Sequence, residues 1–178
     1  MTAPGFTFAI PEIETERLRL RAPRWDDFEA YAAFNASDRS VGVGGPYTRS
    51  RAFQRLGGVI GHWQLRGYGR WMVADKNTDE ALGVVGPYFP EGWPEPEIAW
   101  TVFEAAEGRG IAYEAAKAAR AFAYQALGWT TAISCVVPDN TRSAALAQRM
   151  GCVADGVHQH PDGYTLNIWR HPGPEAPA

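Results

Sequence analysis

The sequence has only two cysteines, no long apolar run and no large excess of either charge. Its 178 residues include 17 lysines and arginines against 20 aspartates and glutamates, so the net charge is −3. A nucleic-acid-binding domain usually carries a basic face, which this balance does not support. No apolar stretch approaches the roughly 18 residues of a membrane span, and no cationic leader opens the chain. We therefore expect a cytoplasmic protein with neither a membrane nor a nucleic-acid partner.

The two cysteines also argue against a disulfide-stapled fold. Cys135 lies in an apolar run and Cys152 follows a predicted helix end, so we expect two buried free thiols. A chain of this length can bury a core without disulfides or a structural metal, and we expect no metal site. The sequence predicts one domain over residues 11–171, with an N-terminal extension over 1–10 and a disordered tail over 172–178, which is rich in proline and alanine.

Hydrophobic periodicity predicts an α/β fold with the order β-α-α-β-β-β-α-β-α-β-β. The strands are predicted at 13–21, 70–75, 82–89, 97–103, 130–137, 153–160 and 164–170. Four helices are predicted at 25–35, 51–65, 112–126 and 141–150, and a flexible glycine-rich loop is predicted at 41–47. No internal repeat or low-complexity linker divides the chain, so we expect one mixed sheet covered by the four helices.

The most informative segment is the glycine turn over residues 107–112, which leads from the fourth predicted strand into the long alanine-rich helix. Gly108 and Gly110 leave the backbone bare where a helix begins, and unpaired N–H groups at such a start bind phosphate readily. A dinucleotide-binding fingerprint needs a third glycine where Tyr113 stands, and a Walker-type loop needs Gly-Lys-Ser/Thr, which is absent. A tight strand-to-helix connection without a ligand remains an alternative.

Several segments in a fixed order give the chain a family resemblance. Residues 97–103 lead into the glycine turn, residues 138–143 (Pro-Asp-Asn-Thr-Arg-Ser) introduce the last helix, and Gly151 ends it. With the opening residues 14–21, this order resembles the GNAT superfamily of acetyl-CoA-dependent N-acetyltransferases, and more narrowly its RimJ/RimL-type branch, from residue 13 to about 170. The resemblance implies a mostly antiparallel sheet that splays apart between the fourth and fifth predicted strands, and a monomer or homodimer.

The resemblance also implies where acetyl-CoA binds. Backbone amides of the glycine turn would hold the pyrophosphate, at Gly108, Arg109, Gly110, Ile111 and Ala112. The pantetheine arm would lie along the edge of the fourth predicted strand, at Trp100, Val102 and Phe103. Asn140 would contact the same arm, although asparagine is equally suited to cap the helix that it precedes.

Acetyl transfer to an amine needs a base, a donor to the thioester oxygen and a proton for the departing sulfur. Glu97 is the candidate base, with His158 and His160 as rivals and a solvated glutamate as the alternative. A backbone N–H of residues 99–101 would serve the oxygen. Ser143 is the residue best placed to reach the sulfur, although water could protonate it instead.

Two positions depart from the family pattern. Many members have Gln or Arg where Glu107 stands, and many have a tyrosine general acid where Ala147 stands. These departures leave open a non-catalytic acyl-CoA sensor on the same scaffold. The acceptor amine is expected to be a protein N-terminus or a small hydrophobic amine, since a polycation would call for more acidic residues.

Overall fold

The computed structural model describes residues 9–174, which form one mixed eight-stranded sheet with helices on both faces. The strands are β1 Ile13–Glu14, β2 Leu18–Arg21, β3 Trp71–Asp75, β4 Ala81–Tyr88, β5 Glu97–Val102, β6 Ile133–Val136, β7 Val153–Gln159 and β8 Thr165–Arg170. The α-helices are α1 Phe28–Ala36, α2 Arg49–Arg66, α3 Ile111–Gln125 and α4 Thr141–Arg149. Short 3₁₀ helices lie at Trp25–Asp27, Asp38–Val43 and Glu104–Ala106.

The sheet order is β1-β2-β3-β4-β5-β6-β8-β7, and every neighbouring pair is antiparallel except β5 and β6. β5 pairs with β4 along its whole length, from Val102 opposite Gly83 to Glu97 opposite Tyr88. β5 and β6 pair only at Glu97 opposite Ile133. The two strands diverge beyond that pair, so the predicted splay is confirmed and one edge of β5 is left open.

Side-chain alternation along the strands separates two core clusters, one on each face of the sheet. Trp71 and Val73 lie in the first cluster, whereas Met72 between them lies in the second. The first cluster contains the buried stripe of α3 (Ala115, Ala116, Ala119 and Ala123), where small side chains let the helix approach the sheet closely. The second cluster is formed with side chains of α1 and α2.

Two sequence expectations about local structure are wrong. The predicted strand at 13–21 is two strands, because Thr15 and Leu18 close a tight turn through Thr15 N–H to Leu18 O at 2.9 Å and Leu18 N–H to Thr15 Oγ1 at 3.0 Å. Ile13 therefore pairs with Leu20 of the same segment. The predicted flexible loop at 41–47 instead begins inside the 3₁₀ helix Asp38–Val43, which Ser40 stabilises by donating to Asn35 O at 3.0 Å.

The C-terminal boundary is anchored to the core. Tyr124 Oη of α3 donates to Pro172 O at 2.8 Å, so the first residue of the predicted disordered tail is held in place. His171 is 3% exposed. The remainder of that tail, 175–178, and residues 1–8 of the predicted N-terminal extension lie outside the described residues. Within residues 9–174, no helix combines the length and apolarity that crossing a membrane requires.

Candidate active site at the splay

Two cavities meet where β5 and β6 diverge. The first, here called the cofactor groove, has a volume of about 310 Å³ and is lined by the glycine turn and the facing sides of α3 and α4. The second, here called the acceptor cavity, has a volume of about 570 Å³ and contains Glu97, Cys135 and several aromatic side chains. The residues common to both cavities are Gly42, Val43, Trp100, Thr101, Asn140 and Ser143. A ligand lying along the groove therefore reaches the second cavity at this junction.

The glycine turn has the geometry of an anion cradle. Gly108 and Gly110 both have left-handed backbone conformations, with φ of 72° and 76°. Gly110 is the N-cap of α3, and no side chain among residues 9–174 bonds to the first amides of that helix. A Cβ built on Gly108 would meet no atom of the described residues within 4 Å, so they leave the space beside the turn open. Unpaired amides facing open space fit a phosphate or pyrophosphate group.

Eight of the ten predicted cofactor residues line the groove: Trp100, Val102, Gly108, Gly110, Ile111, Ala112, Asn140 and Ser143. The other two side chains lie elsewhere. Phe103 follows β5 and packs in the core, 5.6 Å from the ring of Phe34. Arg109 Nη1 donates to Ala105 O at 3.3 Å, so its side chain runs back along the turn. The side chains of these two residues therefore do not line the groove.

Glu107 is not an isolated anion beside the cradle. Its carboxylate forms ion pairs with Arg39 of the 3₁₀ helix Asp38–Val43 and with Arg142 of α4, the latter at 2.7 Å. Both arginines line the groove, as does Arg149, which lies over the Tyr113 ring at 4.6 Å. Sequence reasoning missed all three arginines, because only the folded chain brings the 3₁₀ helix Asp38–Val43 and α4 to one groove.

Asn140 and Ser143 form one hydrogen-bonded unit at the junction of the cavities. Asn140 caps α4, its Oδ1 accepting from Ser143 N at 3.1 Å. Trp100 Nε1 donates to Ser143 Oγ at 3.2 Å. The Ser143 hydroxyl thus receives one hydrogen bond, and its own hydrogen has no acceptor among residues 9–174. It can donate to a group that enters the junction.

Glu97 is a buried carboxylate, 4% exposed, at the wall of the acceptor cavity. Its Oε1 accepts from Trp93 Nε1 at 2.9 Å and its Oε2 from Cys135 N at 2.8 Å. Burial raises the pKa of the Glu97 carboxyl to about 7, while the two hydrogen bonds and the charge of Arg70 act in the opposite direction. A carboxyl that titrates near neutrality suits proton abstraction at physiological pH.

The rival histidines are differently engaged. His158 Nε2 donates to Gly92 O at 2.9 Å. His160 lines the acceptor cavity, but its Nδ1 accepts from Asp162 N at 3.1 Å, so its Nε2 carries the hydrogen. That Nε2 is buried and has no hydrogen-bond partner in the described part of the chain, and the ring stacks on Tyr164 at 4.3 Å. In this arrangement His160 has no free lone pair with which to take a proton.

Both cysteines are free, as predicted from the sequence, although Cys135 is half-buried rather than buried. Burial is the main cause that raises the pKa of the Cys135 thiol, and the neighbouring Glu97 acts in the same direction. The thiol is therefore protonated and poorly nucleophilic. Over residues 9–174, no cluster of three or more His, Cys, Asp or Glu side chains could hold a metal ion.

A splayed sheet with an anion cradle at the start of α3 defines the class of acyl-CoA N-acyltransferases. Residues 17–153 match the family described as the acetyltransferase (GNAT) domain, and the chain belongs to this family. An acetyltransferase of Agrobacterium tumefaciens strain C58 has a similar structure, with 38% identity over 96% of this chain and 99% of that one, and a TM-score of 0.84. The match extends across almost the whole of both chains.

Two further solved structures share the fold. A GNAT-family acetyltransferase of Bacillus anthracis is 20% identical over 93% of this chain and 100% of that one, with a TM-score of 0.77. RimL, a ribosomal L7/L12 alpha-N-protein acetyltransferase in complex with coenzyme A, is 19% identical over 90% of this chain and 97% of that one, with a TM-score of 0.72. The protein is an acyltransferase with a RimL-like fold, and acetyl-CoA is its acetyl donor.

Proposed function

We propose that the protein transfers the acetyl group of acetyl-CoA to the nitrogen of a primary amine bound in the acceptor cavity. The observation that carries this proposal is the position of Glu97, a buried carboxyl with a pKa of about 7 in the cavity that joins the cofactor groove. Glu97 takes a proton from the incoming amine, directly or through one water molecule. Bound acetyl-CoA supplies the thioester that the amine attacks.

The cofactor is positioned by main-chain groups. Amides of Gly108, Gly110 and the first turn of α3 hold the pyrophosphate. The pantetheine arm lies against the open edge of β5. Phe103 N–H donates to Leu82 O in β4 at 2.8 Å, whereas Ile98 O accepts from Ser134 Oγ on the β6 side. Because these directions alternate along a strand, Trp100 and Val102 present their N–H groups to the open edge.

Two hydrogen-bond donors then act on the thioester, one on its oxygen and one on its sulfur. The Trp100 N–H donates to the thioester oxygen as the oxygen gains negative charge. The Ser143 hydroxyl, held by the Trp100 indole, donates to the sulfur that leaves. Its contribution is modest, because a thiolate whose conjugate acid has a pKa of roughly 8.5 leaves without much assistance. The two free cysteines suit a cytoplasmic setting, where thiols stay reduced.

The test is acetyl transfer itself. The protein is incubated with acetyl-CoA and a panel of primary amines and N-terminal peptides, and both free thiol release and the mass of the product are followed. We expect steady thiol release that depends on the amine and matches the formation of an N-acetyl product. Absence of calorimetric binding of acetyl-CoA would overturn the proposal.

An acyl-CoA sensor is the second candidate, and Ala147 is the observation that favours it. Ala147 is fully buried in the core, so the phenol that many family members use as a general acid has no counterpart here. A sensor would bind acetyl-CoA and release no thiol with any amine in the panel. Amine-dependent turnover excludes it.

A further inference from the structure

Two arginines in the wall of the acceptor cavity, Arg55 of α2 and Arg70 just before β3, lack anionic partners. Among residues 9–174, neither has a carboxylate within ion-pair distance, although both are partly buried. Most other arginines of the chain do pair with a carboxylate, as Arg21 does with Asp27 at 2.8 Å and Arg170 with Glu95 at 2.6 Å. A partly buried guanidinium without a counter-charge is costly unless a ligand supplies one.

Of the two arginines, Arg70 has more hydrogen-bond donors without an acceptor among the described residues. Its Cζ lies 4.0 Å above the ring of Tyr88, which fixes the plane of the guanidinium against an aromatic face. Its Nε is buried without a hydrogen-bond partner, and within the described chain its side chain donates to no acceptor. Arginine can bind a carboxylate through two parallel hydrogen bonds, and the Tyr88 ring holds the plane of the Arg70 guanidinium for such a contact.

Arg55 repeats the arrangement with weaker contacts of its own. Its Cζ lies 4.4 Å above the ring of Tyr47, and its Nε is also buried with no hydrogen-bond partner among residues 9–174. Its two remaining nitrogens make long hydrogen bonds, at 3.3 Å to Tyr47 Oη and 3.4 Å to Val43 O. These contacts orient the side chain and leave donor capacity for a ligand.

The acidic residues of the cavity do not neutralise the two arginines. Glu91 lies at the rim of the cavity, where its side chain is fully exposed and lies 3.8 Å from Arg66. The side chain of Asp162 is 79% exposed at the rim. Glu97 is buried and carries only part of a negative charge at neutral pH, because its pKa is about 7. The interior of the cavity is therefore net positive, which disfavours a simple cationic amine.

We propose that the acceptor is a small primary amine that also carries a carboxylate, an amino-acid-like molecule whose carboxylate binds Arg55 and Arg70 while its nitrogen faces Glu97. This inference rests on the proposed function, since it names the substrate class of the same site. The carboxylate supplies the counter-charge that the arginines lack. The aromatic wall of Tyr88, Trp93 and Tyr164 favours an apolar or aromatic side chain on the acceptor.

Matched amine pairs test the inference by binding rather than by turnover. Phenylalanine, tryptophan and 4-aminobutyrate are compared with phenethylamine, tryptamine and butylamine, each titrated by calorimetry into protein saturated with coenzyme A. At least one carboxylate-bearing amine is expected to bind about 10-fold more tightly than its partner, as a charge-assisted hydrogen-bonded pair should. Equal affinity within every pair, or no binding by any of the six, overturns the inference.

Substitutions of Arg55 and Arg70 test whether these two side chains cause the tighter binding of carboxylate-bearing amines. Arg70→Met and Arg55→Met should each reduce the preference for the carboxylate towards unity, and Arg70→Lys should retain part of it. Arg51→Met is the matched control, because Arg51 is exposed on the same helix as Arg55 and its side chain donates, within the described residues, to Gln54 alone. Coenzyme A affinity should be unchanged in all four, which also shows that they fold. A preference that survives both methionine variants contradicts the inference.

The same panel separates this inference from the proposed function. If amines with and without a carboxylate are acetylated equally well, the protein is an N-acetyltransferase and the inference about its acceptor fails. If the carboxylate-bearing amines bind through the two arginines and no acetyl group is transferred, the ligand class stands and the catalytic proposal fails.

Discussion

The Glu97 carboxylate accepts the backbone N–H of Cys135 across the gap between β5 and β6, with 2.8 Å between Oε2 and the amide nitrogen. The two strands pair through their main chains only at Glu97 opposite Ile133. Two residues further along β6, at Cys135, the side chain of Glu97 replaces a main-chain partner. The same carboxylate therefore completes the hydrogen bonding of β6 at the splay and faces the acceptor cavity, and substitutions of Glu97 report on both roles.

Replacement of Glu97 by glutamine should reveal the base through the pH dependence of the rate. We expect the ratio of kcat/KM between the wild-type protein and Glu97→Gln to reach about 10²–10⁴ above pH 8. The ratio should fall tenfold per pH unit below about 7, where the wild-type carboxyl is protonated. Ionisation of the amine cancels in the ratio. Glu80→Gln, which changes an exposed carboxylate of the β3–β4 turn, is the control, and a ratio independent of pH would assign the base to a histidine or to water.

The raised pKa of Glu97 also predicts a pH-dependent cost in stability. Between the ordinary value of 4.5 and about 7, the native state binds more protons at this site than the unfolded state. The free energy of unfolding therefore falls as the pH rises through this window, by up to about 3 kcal/mol from this group. Below 4.5 both states are protonated and the contribution is constant.

The difference in unfolding free energy between Glu97→Gln and the wild-type protein isolates that contribution, because the other titrating groups cancel. Urea denaturation at pH 5 and pH 8 measures it, and we expect the difference to shift in favour of the variant at the higher pH. A difference that does not change with pH would mean that the carboxyl is solvated in the native state.

Ser143 should make a small contribution to the rate. Ser143→Ala is expected to lower kcat by less than about 10-fold, because the departing thiolate tolerates slow protonation. Ser143→Thr keeps a hydroxyl at the same place and should restore most of the rate. Steady-state kinetics at saturating acetyl-CoA measure both variants. An alanine variant with unchanged kcat would assign protonation to water, and a loss above 100-fold would make the hydroxyl an obligatory acid.

Local patterns in the sequence predicted the features that depend on neighbouring residues. The order of the helices and strands follows from periodicity. The left-handed conformations of Gly108 and Gly110 follow from their lack of a side chain, and the cap at Asn140 follows from its position before α4. The splay was predicted through the family resemblance, because one residue pair between β5 and β6 leaves no periodic signal in either strand.

Long-range contacts could not be predicted in the same way. His171 was placed next to the disordered tail, yet it is buried and its Nε2 lies 2.9 Å from Ser134 Oγ, which in turn donates to Ile98 O. This chain of hydrogen bonds satisfies a β5 carbonyl that β6 leaves unpaired at the splay. Burial lowers the pKa of His171 to about 3, so the ring is neutral. Arg55 and Arg70 were likewise missed, since only the folded chain brings α2 and the start of β3 to one cavity.

The anion cradle can be tested with a pair of glycines in equal conformations. Gly108 and Gly128 have φ of 72° and 69°, and a Cβ built on either would meet no atom of residues 9–174 within 4 Å. Gly108→Ala and Gly128→Ala should therefore lose similar stability, about 1 kcal/mol each, from the left-handed backbone. Only Gly108→Ala should weaken coenzyme A binding measured by calorimetry, since Gly108 lines the groove. Equal affinities for coenzyme A in the two variants would show that Gly108 does not contribute to phosphate binding.

Glu107 should limit the affinity for coenzyme A. Its carboxylate engages Arg39 and Arg142 at the groove, so it competes with the cofactor phosphates for both guanidinium groups. Glu107→Gln should raise the affinity several-fold, by about 1 kcal/mol, because one anion is removed close to the bound phosphates. Calorimetric titration of coenzyme A at low and high salt measures the effect, which should shrink as salt screens the charges.

Glu104→Gln is the matched control for this change. Glu104 also forms an ion pair with Arg39, at 3.3 Å, but its side chain is 77% exposed and it does not line the groove. Its substitution should alter the affinity for coenzyme A by less than twofold, because exposed ion pairs contribute little. Weaker binding by Glu107→Gln would reverse the interpretation. It would show that the carboxylate holds Arg39 and Arg142 in the positions from which they contact the phosphates, so that the departure from the family pattern at this residue aids cofactor binding.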